Sequence, residues 1–276
     1  MTRRSLLHLF IAAILLPAVA PTVRADEVLV SAAASLTDAF KEIGAAYSQA
    51  APGTIVRFNF GASGALQRQI VQGAPVDVFA SAAPKEMDAL QAARRLAAGT
   101  RIEFAGNRLV LIVPPGSRIH DWSDLATPAV RRIALSNPTS VPSGRYAQET
   151  LTHRGLWSAV QPKVVMGENV RQTLAYVAGG DADAGIVYAT DAKIARSRVR
   201  MVREAIPGRD HAPIVYPAAA IVGSPNPDGA RRFVRFLSGP LAQNILKRFG
   251  FVPAQSARAP GASFRQGPRD RAPDRR

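Results

Sequence analysis

Four short stretches of the sequence combine small residues with hydroxyl or amide groups where a strand pattern gives way to a helix pattern. They are Ala34-Ser35-Leu36, Gly61-Ala62-Ser63-Gly64, Val141-Pro142-Ser143-Gly144 and Gly167-Glu168-Asn169-Val170. The first turn of a helix presents unpaired N–H groups and a partial positive charge, and small side chains let a ligand approach them closely. Serine hydroxyls add directional donors. The four stretches therefore favour binding of an anion by neutral hydrogen-bond donors.

The same stretches also have purely structural interpretations. Ser35 and Asp38 have the spacing of a capping box, in which the serine would only close the end of a helix. Residues 61–64 fit a simple turn, and Pro142 is common at the start of a helix. Tyr188, at the end of "AGIVY", fits a core position as well as a ligand contact. From the residues alone both interpretations stay open.

The elements that would position these stretches alternate between strand and helix. Apolar residues at helical spacing, such as Leu36, Phe40, Ile43 and Tyr47, separate eight β-type runs. The runs cover residues 28–31, 55–60, 76–80, 109–113, 133–135, 164–166, 185–188 and 215–222. This alternation predicts an α/β fold with largely parallel sheets, and the number of strands indicates two lobes. Ligands bind at the carboxyl ends of parallel strands, where the next helices begin.

The two ends of the chain differ from its body. Residues 1–25 contain Arg3-Arg4, an apolar run and Val23-Arg24-Ala25, which is the pattern of a secretory signal cleaved before Asp26. Residues 254–276 are rich in Pro, Gly, Ser and Arg, a composition that predicts a disordered basic tail. The chain has 0 cysteines, so it can carry neither disulfides nor a lipid-anchored N-terminal cysteine. We therefore predict a soluble periplasmic protein.

Nearly half of the net charge of +15 lies at these two ends. The signal carries +3 and the tail +4, which leaves +8 as scattered Arg and Lys residues in the body. The sequence has no ladder of alternating aromatic and basic residues that would indicate base stacking. We interpret the charge as a solvated basic surface, and we predict no nucleic-acid site.

Enzymatic interpretations have less support in the sequence. A serine hydrolase with Ser35 or Ser63 as nucleophile is the alternative from a different functional class. However, "GASGA" does not have the G-x-S-x-G spacing of a nucleophile elbow. We therefore predict that the protein is not an enzyme and has no direct metal-cation ligands.

Residues 27–253 resemble the periplasmic molybdate-binding proteins of ABC transporters. The matching stretches are "VSAAASLTDAF", "FNFGASGALQRQIVQGAPVDVFASA", "SNPTSVPSGRYAQETL", "GENVRQTLAYVAGGDADAGIVYATDA" and "LSGPLAQNILKRFGF", in this order. The resemblance implies a two-lobed periplasmic-binding-protein fold of the class II type, with the ligand in a cleft between the lobes. One lobe would comprise residues 26–105 and 213–253, and the other residues 106–212.

The resemblance also implies a ligand set and partners. The binding positions fall on Ser35, Ser63, Ser143, Val170 and Tyr188. The ligand would be molybdate or tungstate, without a cofactor, and an inner-membrane ABC permease would receive it from a monomeric binding protein. Relatives often carry alanine at the position of Ser143, so its backbone amide is implied in binding and its hydroxyl is not. A sulfate-type binder remains the alternative within this class, since sulfate is also a tetrahedral dianion.

Overall fold

The computed structural model describes residues 26–257 of the 276-residue chain. The predicted signal (1–25) and the part of the predicted tail beyond Ala257 lie outside the described residues. Within the described range, no helix is both long and apolar enough to cross a membrane.

The described strands form two five-stranded sheets, each of which defines a lobe. The sheet of lobe 1 has the order β2-β1-β3-β10-β4, and that of lobe 2 has the order β7-β6-β8-β5-β9. The strands of lobe 1 are β1 (Asp26–Ala33), β2 (Thr54–Gly61), β3 (Val78–Ala80), β4 (Ile102–Gly106) and β10 (Val215–Ala220). Those of lobe 2 are β5 (Leu109–Val113), β6 (Ile133–Ser136), β7 (Val164–Gly167), β8 (Ala184–Tyr188) and β9 (Arg200–Glu204).

Nine α-helices surround the sheets in the described range. Lobe 1 carries α1 (Thr37–Ala50), α2 (Ser63–Val71), α3 (Pro84–Ala92), α8 (Pro227–Leu237) and α9 (Pro240–Phe249). Lobe 2 carries α4 (Pro142–His153), α5 (Trp157–Val160), α6 (Val170–Ala178) and α7 (Ala189–Ile194). Four short 3₁₀ helices complete the set: Ala34–Leu36, Trp122–Ala126, Gln161–Lys163 and Gln255–Ala257.

The helical stripe predicted for α1 packs into the core of lobe 1. Phe40, Ile43 and Tyr47 are buried at helical spacing on one face of α1. Phe40 and Tyr47 also pack against Phe233 of α8 in edge-to-face geometry. Burial of an aromatic side chain of this kind contributes about 1.5–3 kcal/mol. The stripe thus fixes α1 and its preceding turn against the sheet.

Both sheets are mixed, so the prediction of largely parallel sheets is wrong. In lobe 1, β1 is parallel to β2 and β3, but β10 is antiparallel to both β3 and β4. In lobe 2, β6 is parallel to β7 and β8, but β5 is antiparallel to both β8 and β9. The antiparallel pairs adjoin the places where the chain crosses between lobes. A hydrophobic pattern identifies a strand but not the direction of its neighbour.

Two strands were missed because their sequences lack an apolar run. β4 reads "IEFAG", with a charged residue inside it, and β9 reads "RMVRE", with no residue fully buried. Both are edge strands of their sheets, where one side of the strand faces solvent and polar residues are tolerated.

The chain crosses between the lobes twice. It leaves lobe 1 at Asn107-Arg108, between β4 and β5, and returns through residues 205–214, between β9 and β10. The Asn107 amide N–H donates to the Ile214 carbonyl at 3.2 Å, which joins the two crossings. Asn107 is itself buried.

The predicted tail starts too early. Ala254 and Ala257 are each 4% exposed and pack with Val215 and Val252, and Gln255–Ala257 forms a 3₁₀ helix. Val252 forms an isolated bridge with Gly106 beside them. The prediction of disorder is therefore wrong for residues 254–257. Alanines are small enough to fit next to Gly106, and composition alone does not reveal such a fit.

Candidate anion-binding site

The structure brings all five predicted site residues to one small cavity between the lobes. Ser35 and Ser63 reach it from lobe 1, and Ser143, Val170 and Tyr188 reach it from lobe 2. The remaining lining residues are small or neutral: Ala33, Ala34, Gly61, Ala62, Ala82, Val141, Pro142 and Asn169. The centre of a water molecule has only about 10 Å³ of free space inside. That space is near the minimum needed for one water, so the closed cavity suits a small ion and not an amino acid or a sugar.

Four helical segments begin at this cavity. α2 starts at Ser63, α4 at Pro142 and α6 at Val170, and the 3₁₀ turn Ala34–Leu36 leads into α1. Each segment follows a strand of its own lobe, which places its first turn at the carboxyl end of that strand. The partial positive charges of the helix starts therefore converge on one point.

The first turns leave backbone amides free for a ligand. In α6, the Asn169 side chain accepts from the amides of Arg171 and Gln172, and the Asn169 carbonyl accepts from Thr173. The amide of Val170 has no acceptor among the described residues. The amides of Ser35, Ser63 and Ser143 are likewise without an acceptor in the described part of the chain. Buried N–H groups are rarely left unpaired, so four at one cavity indicate a ligand that accepts hydrogen bonds.

Ser35 does not act as a helix cap. Neither the 3₁₀ turn nor α1 has a side-chain cap, and the Ser35 Oγ lies 2.9 Å from the Tyr216 Oη. The Asp38 carboxylate, which the capping-box interpretation would direct to the backbone, forms an ion pair with Arg171 at 2.7 Å. The capping interpretation is therefore wrong, because tertiary partners occupy both side chains.

The Ser63 hydroxyl keeps its proton available. Its Oγ accepts a hydrogen bond from the Ala82 amide at 3.1 Å. Ser63 is 1% exposed, and its own O–H has no acceptor among the described residues. Since the acceptor side of the oxygen is occupied by Ala82, this hydroxyl is arranged as a donor at the cavity.

The Ser143 hydroxyl is committed elsewhere. It donates to the Ser136 Oγ at 2.9 Å, and Ser136 lies 2.8 Å from the Thr173 Oγ1. Thr173 in turn donates to the Asn169 carbonyl at 3.2 Å. This chain of hydroxyls ends at a carbonyl and satisfies each proton. Ser143 therefore offers the cavity its backbone amide and not its hydroxyl proton.

Tyr188 contributes a buried hydroxyl without a partner. Its side chain is 1% exposed, and its Oη makes no hydrogen bond within the described range. Burial raises the pKa of this phenol well above its usual value, and the nearby Tyr216, Tyr146 and Asp191 raise it further. The group therefore remains protonated and can only donate to an anion in the cavity.

An ion-pair network, in which Asp191 is fully buried and Arg171 and Asp38 are partly exposed, lies behind the cavity. Arg171 of α6 contacts Asp191 of α7 and Asp38 of α1, both at 2.7 Å. Burial raises the pKa of Asp191 to about 6, although the Arg171 guanidinium opposes the shift. None of these charges belongs to the cavity lining, so the ligand would meet only neutral groups there.

Direct contacts hold the two lobes together around the cavity. The Gly64 amide of α2 donates to the Ser140 carbonyl of lobe 2 at 2.9 Å. A Cβ on Gly64 would lie 2.7 Å from that same oxygen, so only glycine permits this approach. Glu86 of α3 pairs with Arg145 of α4 at 2.8 Å across the interface. The structure thus shows a closed arrangement of the lobes.

Sequence reasoning missed the residues that support the predicted set. Tyr216 and Asn107 lie far from Ser35 in the chain and have no local pattern that marks them. Asn169 did carry a signal, because asparagine immediately before a helical run is a common N-cap. Arg171 had none, since its two carboxylate partners come from other elements.

The chain is similar to known binding proteins over most of its length. It is 38% identical to the molybdate-binding protein ModA of Escherichia coli over 259 residues, which is 90% of this chain and 98% of that protein. It is 35% identical to ModA of Haemophilus influenzae over 82% of this chain and 89% of that protein. The solved periplasmic molybdate-binding protein of Azotobacter vinelandii superposes with a TM-score of 0.74 at 29% identity, covering 82% of this chain and 98% of that one.

A family model agrees with these relatives. The family model described as bacterial extracellular solute-binding protein matches residues 28–252. This range covers every strand that the structure describes, apart from the first two residues of β1. The family consists of transport-linked binding proteins, which confirms the prediction that the protein is not an enzyme. The two-lobed α/β fold is confirmed by the solved relative. The chain therefore belongs to the bacterial extracellular solute-binding protein family.

Proposed function

We propose that the protein binds molybdate between its lobes and delivers it to an ABC importer. The observation that carries this proposal is the set of unpaired donors at one ion-sized cavity. These are the amides of Ser35, Ser63, Ser143 and Val170 together with the hydroxyls of Ser63 and Tyr188. The names of the similar proteins identify molybdate as the first ligand to test.

The chemistry of these donors suits a fully deprotonated tetrahedral dianion. Each hydrogen bond to a charged group contributes roughly 1.5–3 kcal/mol, so six give on the order of 9–18 kcal/mol before desolvation and ordering costs. Neutral donors from two lobes also permit release, because opening the lobes separates them. Tungstate has the same charge and shape, and we propose it as a second ligand.

The cavity also disfavours a protonated anion. Phosphate carries a proton on much of its population near neutral pH, and a buried O–H needs an acceptor. The lining contains no carboxylate. Phosphate should therefore bind at least about tenfold more weakly than molybdate, and the difference should shrink as rising pH removes its last proton.

We propose that the protein works in the periplasm, where the predicted signal would direct it, and passes its ligand to an inner-membrane permease. One relative, from Bacillus subtilis, is named as a putative ABC transporter substrate-binding lipoprotein, and the solved Azotobacter vinelandii protein is periplasmic, which supports this partner and this location.

A thermal-shift panel on the purified mature protein tests the ligand assignment. The anions are molybdate, tungstate, sulfate and phosphate at equal ionic strength. A ligand at one hundred times its dissociation constant stabilises the folded state by about 2.7 kcal/mol, which gives a clear rise in Tm. We expect large shifts with molybdate and tungstate and a small shift with sulfate. A larger shift with sulfate than with molybdate would show that the protein is a sulfate-type binder.

A further inference from the structure

We propose that Asn107 and Tyr216 are positioning residues that hold the Ser35 hydroxyl as a donor towards the bound anion. This inference rests on the proposed function, and it assigns two residues outside the cavity lining to ligand affinity. The three residues form one hydrogen-bonded series, the Asn107–Tyr216–Ser35 relay.

The direction of the relay is fixed at Asn107. Its Oδ1 accepts from the backbone N–H of Arg108 at 2.9 Å, and a backbone amide can only donate. The side-chain amide is therefore oriented with its NH₂ group towards Thr190 and Tyr216. One N–H donates to the Thr190 Oγ1 at 3.0 Å, and the other donates to the Tyr216 Oη at 3.2 Å.

Tyr216 passes this direction on to Ser35. Its ring is fully buried between Tyr188, Phe104 and Phe251. Burial raises the pKa of its phenol, so the hydroxyl keeps its proton. The oxygen already accepts from Asn107, and within the described chain the Ser35 Oγ at 2.9 Å is the acceptor available for the phenol proton. The reverse direction would leave a buried phenol O–H unpaired, which is costly.

Ser35 must then donate into the cavity. Its oxygen accepts from Tyr216, its side chain is 2% exposed, and the residue lines the cavity. Its own proton has no other acceptor in the described part of the chain. The Ser143 hydroxyl shows the contrast, because its proton is directed at Ser136 and away from the ligand.

The relay also connects the site to the crossing between the lobes. Asn107 lies in the first crossing and contacts Thr190 of lobe 2, whereas Tyr216 lies on the strand that returns to lobe 1. The Ser35 donor is thus oriented by residues at the junction of both lobes.

A double-mutant cycle with Tyr216→Phe and Ser35→Ala tests the relay. The phenylalanine removes only one hydroxyl and keeps the ring packing. We expect Tyr216→Phe alone to weaken molybdate binding on the order of tenfold by calorimetry, because Ser35 loses the partner that orients it. In the Ser35→Ala background the same change should alter affinity by less than about twofold, because no hydroxyl is left to orient.

Two further variants complete the design. Asn107→Ala should weaken binding in the wild-type background and not in the Ser35→Ala background. Tyr47 is a buried phenol of lobe 1 that does not line the cavity. Tyr47→Phe is therefore the matched control and should leave affinity unchanged. If Tyr216→Phe lowers molybdate affinity equally in both backgrounds, the relay is refuted, whereas the proposed function of molybdate binding still stands. Absence of any thermal shift of the wild type with the four anions would instead refute the proposed function, and the relay with it.

Discussion

At the scale of single residues, the serines of the candidate site differ in the group that accepts their hydroxyl proton. Ser63 accepts from Ala82 and keeps its proton for the cavity, whereas Ser143 donates its proton to Ser136. Both are buried and both lie in the first turn of a helix at the same cavity. Residue type alone therefore does not define a ligand contact, and the second hydrogen bond of each hydroxyl decides its role.

This difference predicts unequal effects of two identical substitutions. Ser63→Ala should weaken molybdate binding by about 1.5–3 kcal/mol, or roughly tenfold or more, because a charge-assisted donor is lost. Ser143→Ala is the matched control and should change affinity less than about threefold, because its amide remains. Isothermal titration calorimetry on both variants provides the comparison. Equal losses would mean that the Ser143 hydroxyl turns towards the ligand.

Asp191 gives a prediction for pH. Burial raises its pKa to about 6 from the usual 3.8, against the effect of Arg171, and Asp38 adds to the rise. The folded state then binds this proton more tightly than the unfolded chain, so the contribution of Asp191 to stability increases as the pH falls from about 7 to about 4. Asp191→Asn has no such titration. In thermal melts, the Tm of the wild type minus that of the variant should increase as the pH falls from about 7.5 to about 5. A constant difference would contradict the raised pKa.

At the scale of elements, the site depends on helix starts that meet across the interface. α2 and α4 come from different lobes, and the Gly64 amide near the start of α2 donates to Ser140 just before α4. This contact brings the two first turns close enough to share a small ion. The approach requires the missing Cβ of Gly64.

Gly64→Ala should therefore impair closure more than folding. Its added Cβ would meet the Ser140 oxygen at 2.7 Å, a backbone atom that has no flexible end to move aside. We expect molybdate affinity to fall by at least about tenfold, because the strain applies only to the closed arrangement. The ligand-free Tm should hardly change, since alanine is favourable in a helix. A large drop in ligand-free Tm with normal affinity would place the defect in folding instead.

At the scale of the whole molecule, the closed arrangement is supported by ion pairs that join the lobes. Glu86 and Arg145 pair across the interface with side chains that are 6% and 18% exposed. Arg171 similarly connects α6 to Asp38 of lobe 1. When the lobes separate, these groups regain water, so their energetic effect belongs to the closed state.

Glu86→Gln should shift the lobes towards the open state. Removal of one partner from a buried pair leaves Arg145 uncompensated when the lobes close. We expect molybdate affinity to fall several-fold, on the order of 1 kcal/mol or more, with the larger part in the dissociation rate. Asp88→Asn on the same helix is the control, because the Asp88–Arg101 pair lies within lobe 1 and Asp88 is 61% exposed. Stopped-flow measurements of molybdate release compare the two variants. Equal dissociation rates for Glu86→Gln and Asp88→Asn would contradict the interpretation.

The packing of Ala254 and Ala257 predicts different effects of two truncations. A chain that stops after Ala257 keeps the buried Ala254 and Ala257, and its Tm and molybdate affinity should equal those of the wild type. A chain that stops after Pro253 loses both contacts beside Gly106 and should lose about 1–2 kcal/mol of stability. Thermal melts of the two truncated proteins distinguish these outcomes, and identical Tm values would show that the alanines contribute nothing.

Much of the architecture was predictable from local patterns. Each of the eight apolar runs coincides with a strand, although the runs 76–80 and 215–222 extend two residues beyond β3 and β10, and the stripe of α1 is buried as its spacing predicts. β4 and β9 were not predictable, because edge strands tolerate the polar residues that disguise them. The direction of β5 and β10 relative to their neighbours was also beyond the sequence, since an apolar run has the same pattern in either direction.

The sequence by itself determined which groups could meet an anion, because small residues and serines at strand-to-helix transitions are readable as local chemistry. Tertiary structure decided which of those groups donate. Ser35 could have capped its own helix, but Tyr216, 181 positions away in the chain, binds it instead. Ser143 carries the same hydroxyl, but Ser136 takes its proton. A hydroxyl can donate in only one direction, and the partner that sets this direction comes from whichever element the fold places beside it.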